Sequence, residues 1–323
     1  MSFTFPPDIM NRKKVSIAGA GNVGASLAQL IAQAGLADVL LYDVAPGMPQ
    51  GKALDLGQAC ALWGSSVSVS GTNDLADSKG SAVFVITAGF ARKPGMSRDD
   101  LLQANAAVVG GIAAEAARLS PNAVFIVVTN PVDAMTHLAW KRSGFPPARV
   151  FGMGGVLDSA RLRAFIAWQL GISPKDVEAM VLGGHGDAMV PVRGLVSVKG
   201  SPIGSWLTEE QIEAIFERTR GGGAEIVGLL KSGSAYYAPA ASVYEMVKAV
   251  LLDEKRLLPC AACLEGQYGG IGVKAGGLYA GVPAVIGAGG VEKIIEVPLA
   301  ESERKAFGLS ISAVGGLVSI LGL

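Results

Sequence analysis

The apolar run Lys14–Ala18 leads directly into Gly19-Ala20-Gly21-Asn22-Val23-Gly24, and the chain continues through Leu27, Leu30 and Ile31 at helical spacing. A buried strand, a glycine-rich turn and a helix in immediate succession open a β-α-β unit. With 44 glycines in 323 residues, a GxGxxG pattern arises easily by chance. Its position between strand and helix gives it weight. Glycines there permit a tight turn, close approach of the backbone to a phosphate group, and close packing of helix on strand. The helix N-terminus adds unpaired N–H groups that suit an anion.

Three more continuous apolar runs follow, at Val39–Tyr42, Ala82–Thr87 and Ala123–Val128, separated by alanine-rich helical stretches such as Leu101–Leu119. Such runs are expected where both faces of a parallel sheet are covered. The alternation predicts an α/β fold: a Rossmann-type doubly wound parallel sheet over residues 1–155, with 1–12 as a loose extension. Beyond Gly155 the pattern changes. Helices are expected at Asp158–Leu170, Thr208–Lys231, Ala240–Leu252 and Ser302–Leu321. Val177–Leu182 reads as a strand, and Arg256–Leu264 with Leu278–Gly287 as antiparallel strands. Residues 156–323 are therefore expected to form an α+β catalytic domain, packed on the first with a cleft between them.

Composition excludes several classes. Lys+Arg and Asp+Glu are both 27, so the basic excess of a nucleic-acid binder is missing. Three cysteines, Cys60, Cys260 and Cys263, are too few for a disulfide framework and fit a reducing cytoplasm. Cys260-Ala-Ala-Cys263 has CxxC spacing, but residues three apart on a strand point to opposite faces, so no metal site is expected there. The N-terminus lacks the apolar segment of a signal peptide. The uncharged stretch Phe307–Leu323 is shorter than the ~20 residues of a membrane span. Phe307, Ile311, Val314, Val318 and Leu321 form one stripe on it, which predicts a docked helix and no membrane association.

Asp43 ends the second apolar run. A carboxylate there can accept hydrogen bonds from adenosine ribose hydroxyls and would repel the additional phosphate of NADP. Val44 and Ala45 bring no arginine to offset it, so NAD is the expected cofactor. The plainer reading of Asp43 is a turn cap before Pro46. In the second half, Leu182-Gly183-Gly184-His185-Gly186-Asp187 holds one of only two histidines, flanked by glycines that would let a small ligand approach the imidazole. Histidine is the side chain best suited to move a proton near neutral pH. Asp158 and Arg161 lie three apart on one helix face. Ala91–Arg98 is a loop with two arginines, and Thr129-Asn130-Pro131 follows another apolar run. By the switch-point rule such loops meet the cofactor. Each arginine alone reads as surface charge. His137, in a helix after Pro131, has no such company and reads as structural.

Together these motifs resemble the malate/lactate dehydrogenase family, and within it the bacterial malate dehydrogenases that are lactate-dehydrogenase-like in sequence. The resemblance runs from Lys14 to about Leu317 and includes Arg218-Thr219-Arg220 and Gly233–Ala240. It implies reversible transfer of a hydride between (S)-malate and NAD, giving oxaloacetate, in the tricarboxylic acid cycle. By resemblance His185 exchanges the hydroxyl proton and Asp158 orients its ring. Arg161 grips the carboxylate beside the reacting carbon, and Arg92 the far one. Arg98 polarises the reacting oxygen, and Asn130 holds it near the nicotinamide. Asn105 and the backbone of Val128, Thr129 and Asn130 line the cofactor, with Gly19 to Gly24. The loop Ala91–Arg98 becomes a lid. The family further implies a homotetramer, with a dimer as the alternative.

Three other readings are distinguishable. A lactate dehydrogenase would place a methyl group where Arg92 sits, leaving a guanidinium unpaired. An NAD-using glycosidase would need a metal cluster of cysteine and histidine. A non-catalytic NAD-binding protein would have no use for the set His185, Asp158 and Arg161.

Overall fold

The computed structural model describes residues 12–90, 98–271 and 277–323. The expected N-terminal extension up to residue 11, and Arg92 with the rest of the expected lid up to residue 97, lie outside them. The first half lays down strands β1 (Lys14–Ala18), β2 (Asp38–Tyr42), β3 (Val69–Thr72), β4 (Val83–Ile86), β5 (Val124–Val127) and β6 (Val150–Gly152). Between them run helices α1 (Asn22–Gln33), α2 (Met48–Trp63), α3 (Arg98–Leu119) and α4 (Val132–Ser143). The six strands are parallel and stand in the order 3-2-1-4-5-6. This is the doubly wound dinucleotide-binding order, with its switch point between β1 and β4. β4 and β5 are buried at every position, as their continuous apolar sequences require.

The second half begins with α5 (Gly155–Leu170). Short strands β7 (Val177–Glu178), β8 (Val181–Leu182), β9 (Val190–Pro191), β10 (Ser197–Val198) and β11 (Ser201–Pro202) follow. Then come α6 (Glu209–Leu230), α7 (Tyr237–Leu251), β12 (Arg256–Leu264), β13 (Leu278–Gly287), β14 (Gly290–Ile294) and α8 (Glu301–Ile320). The expected strand Val177–Leu182 is in fact two strands in different sheets, β7 against β10 and β8 against β9. β12 and β13 pair antiparallel, as expected, with β14 beside β13, and they do not stand as a sheet of their own. They continue the parallel one, β12 pairing antiparallel with β6, so the main sheet runs past residue 155.

One core spans that sheet and its helices, and α7 packs on α1. A smaller core gathers Leu162, Ile166, Val181, Met189, Ile212 and Phe216 under α5 and α6. The capping box of Thr208 and Gln211 starts α6 where the sequence predicted a helix. On α8 the stripe Phe307, Ile311, Val314 and Val318 is buried, so the helix docks on the body. Among the described residues no helix is long and apolar enough to cross a membrane. Cys260 and Cys263 are both buried on β12, where burial pushes each thiol up to about 12, so neither is a ready thiolate.

Candidate active site

The glycine turn leaves the carboxyl end of β1. Gly19 has φ +106°, and a Cβ at Gly24 would overlap the Gly19 carbonyl, so both positions require glycine. Gly21 faces open space and is exposed with Asn22, while Ala20 and Gly24 are buried and Val23 is half-buried. Helix α1 has no acidic residue in its first turn and no side-chain cap, so its N-terminal amides remain suited to a phosphate. Asp43 Oδ2 accepts from Ala20 N at 2.8 Å and Oδ1 from Ala45 N at 3.0 Å. The turn-cap reading of Asp43 therefore holds, and the same carboxylate braces the glycine turn. Lys52 of α2 donates to Ala20 O at 2.7 Å, a contact that nothing in the sequence signals.

Asn105, on α3, is 1% exposed, and its amide is spent on backbone. Oδ1 accepts from Phe90 N at 2.7 Å and Nδ2 donates to Asn130 O at 2.8 Å. It ties the loop after β4 to the loop after β5. The Thr129 hydroxyl adds a second tie, donating to Ala88 O at 2.7 Å. Val128 is buried and its N–H donates to Ile86 O at 2.9 Å. The Asn130 side chain is exposed and precedes a cis peptide bond to Pro131.

The structure brings together the residues expected to carry the chemistry. Asp158, in the first turn of α5, is 1% exposed. Its Oδ2 lies 2.8 Å from His185 Nδ1, and its Oδ1 accepts from Arg161 Nη1 at 3.1 Å. Arg161 Nε is buried with no hydrogen-bond partner among the described residues. A guanidinium held on one side and unsatisfied on another is built to receive a further acceptor, and a carboxylate matches its geometry. Burial alone would lower the His185 pKa. The charge and hydrogen bond of Asp158, with the charge of Asp133, outweigh it, and the net shift is upward.

Three consecutive amides fix the histidine turn, each held by a different element. Gly183 N donates to Gly281 O of β13, Gly184 N to Ser310 Oγ of α8, and His185 N to Asp133 Oδ2 of α4, all at 2.8 Å. The glycines before His185 were expected to admit a ligand. Instead a Cβ at Gly184 would stand 2.8 Å from Val314 Cγ2, so that glycine admits helix α8. Asp133 and Ser310 were not foreseen. The one sequence signal for Asp133 is an acid among the apolar neighbours Val132, Ala134 and Met135. The backbone of Arg98 opens α3, but its side chain, like all of Arg92, lies outside the described residues. His137, read in the sequence as structural, is buried against the rings of Trp140 and Tyr279.

Two protein-family models match the chain: the lactate/malate dehydrogenase NAD binding domain over residues 13–152 and the lactate/malate dehydrogenase alpha/beta C-terminal domain over 155–314. A malate dehydrogenase of Desulforudis audaxviator is 54% identical over 309 residues, which are 96% of this chain and 98% of that protein. The apo malate dehydrogenase of Picrophilus torridus superposes with a TM-score of 0.93 at 42% identity, covering 97% of this chain and 98% of that one. The lactate dehydrogenase of Cryptosporidium parvum, solved with lactic acid and nicotinamide adenine dinucleotide, gives 0.92 at 43%, over 97% and 98%. With its 3-2-1-4-5-6 parallel sheet, its glycine turn and both domains matched in order, the chain belongs to the lactate/malate dehydrogenase family.

Proposed function

We propose that this chain is an NAD-dependent malate dehydrogenase that interconverts (S)-malate and oxaloacetate. The observation that carries the chemistry is the continuous set Arg161–Asp158–His185, with 3.1 Å and 2.8 Å contacts and an unsatisfied Arg161 Nε. The name malate dehydrogenase on relatives above 50% identity favours this substrate over lactate. The fold alone does not separate the two, since lactate dehydrogenases superpose as well.

NAD is the cofactor of the matched domain. The bare N-terminus of α1, the open space at Gly21 and the Asp43 carboxylate beside it fit its pyrophosphate and adenosine ribose. When bound, the nicotinamide supplies the two-electron acceptor or donor. Asp158 occupies His185 Nδ1, so proton exchange with substrate falls to Nε2. In the oxidative direction neutral His185 accepts the hydroxyl proton, and Asp158 stabilises the resulting imidazolium. In reduction the imidazolium returns it. Arg161 pairs with the carboxylate next to the reacting carbon, Arg92 with the far carboxylate, and Arg98 and Asn130 with the reacting oxygen. Val128 and Thr129 line the nicotinamide side with their backbone, and Asn105 acts on that side by fixing the loops. Residues 1–155 form the cofactor domain and 156–323 the catalytic domain.

We place the protein in the cytoplasm, in the tricarboxylic acid cycle, as a homotetramer or dimer. Leu54 and Leu62, 66% and 89% exposed on α2, support association. Absorbance of NADH tests the reading directly. Oxaloacetate must cause its consumption with malate formed in equal amount. A protein that binds NADH yet oxidises none of it with oxaloacetate or pyruvate is a non-catalytic NAD-binding protein.

A further inference from the structure

Asp133 and Asp158 are the only fully buried acidic residues among the described residues, at 4% and 1% exposure. Both hydrogen-bond the same histidine, one through the backbone and one through the ring. We propose that Asp133 is a positioning residue for His185, which anchors the histidine turn by its oxygen and sets the proton affinity of the imidazole by its charge. The proposal rests on the reading of His185 as the proton carrier.

A tether alone does not need a carboxylate. The neighbouring amide, Gly184 N, is held at the same distance by the neutral hydroxyl of Ser310. Asp133 does this job with a group that is costly to bury ionised, and with an Oδ1 that is buried and has no hydrogen-bond partner among the described residues. A satisfied structural carboxylate would have both oxygens engaged. The charged groups acting on it are His185 and, from α5, Asp158, and His185 in turn feels Asp158 and Arg161. Helix α8 presents Ser310 and Val314 to this turn, neither of them charged. Burial pushes Asp133 up to about 6, opposed by the His185 amide and ring. Its ionised form favours protonated His185, the form that donates a proton to a 2-oxo acid. Its protonated form releases that bias, so the two groups titrate as a coupled pair.

The chain has two histidines, so protein labelled with carbon-13 at histidine Cε1 gives two resonances, and His185→Gln assigns them. Asp133→Asn keeps an oxygen for the His185 amide and removes the charge. It is expected to lower the ring pKa by about one unit, a tenfold loss of proton affinity. Asp133→Ser, also neutral, is expected to move it the same way. In the unaltered protein the Asp133 carboxyl carbon is expected to titrate together with the ring, well above the ordinary value of about 3.9. An unmoved ring in either folded variant overturns the proposal, and so does an Asp133 that titrates at the ordinary value. The pH limb of kcat/KM for oxaloacetate reduction should shift by the same interval as the ring. If the ring moves and the limb does not, the role of Asp133 stands and the assignment of His185 as proton carrier falls.

Discussion

Asp158 Oδ2 lies 2.8 Å from His185 Nδ1, although the rest of helix α5 and strands β7 and β8 lie between the two residues in sequence. The contact holds one ring nitrogen and, in the proposed mechanism, leaves proton transfer to the other. His185→Ala should leave thermal stability and NADH affinity near the parent and lower kcat by roughly 10²–10⁴-fold, the usual worth of a positioned acid–base group. Asp158→Asn should also be impaired, since the imidazolium loses the charge that stabilises it. Near-normal turnover in the alanine variant refutes the assignment.

The raised His185 pKa has a direction in kinetics. In the proposed mechanism oxaloacetate reduction needs the protonated ring, so its kcat/KM should fall as pH rises through that value. Malate oxidation needs the neutral ring and should rise through the same interval. Rate profiles in both directions check this, and profiles that move in parallel contradict it.

Asp43 braces Ala20 and Ala45 and faces the adenosine side of the glycine turn in our reading. The wild-type protein should prefer NADH to NADPH in kcat/KM, and Asp43→Ser should narrow the gap. Equal values for the two cofactors in the wild type would remove Asp43 as the discriminator.

Asn105 satisfies the amide of Phe90 and the carbonyl of Asn130. Asn105→Ala leaves these groups unpaired, at a cost of about 1–3 kcal/mol. It should also raise KM for NADH, because the two loops proposed to line the cofactor lose their tie. Denaturant unfolding and steady-state kinetics test the two parts separately.

His137 carries a stability prediction. Burial, with Lys141 adding to it, lowers its pKa from 6.5 to about 4. The folded value lies below the unfolded one, so the neutral ring's contribution is present above about 6.5 and lost as pH falls towards about 4. The full difference is on the order of 3 kcal/mol. His137→Phe, which keeps a ring against Trp140 and Tyr279, should show a smaller loss of stability across that window.

Most of the sheet was legible because β1, β2, β4 and β5 are continuous apolar runs. Strand β3, Val-Ser-Gly-Thr at the sheet edge, has no apolar run, and β6 has only three residues, so neither stood out. Val177–Leu182 read as one strand because hydropathy does not register that Ala179 and Met180 carry the chain from one sheet to another. His185, Asp158 and Arg161 were visible as residue types in motifs. Asp133 and Ser310 were not, because their role comes from α4 and α8 packing on the histidine turn, and only the tertiary fold makes that contact.

The choice of 2-oxo acid tests the proposed activity most directly. With NADH as cofactor, kcat/KM for oxaloacetate should exceed that for pyruvate by on the order of 10³-fold or more, because in the proposed role of Arg92 pyruvate has no second carboxylate to pair with its guanidinium. Arg92→Gln should depress oxaloacetate reduction far more than pyruvate reduction. Comparable values for the two acids in the wild-type protein, or a preference for pyruvate, would contradict the malate dehydrogenase reading.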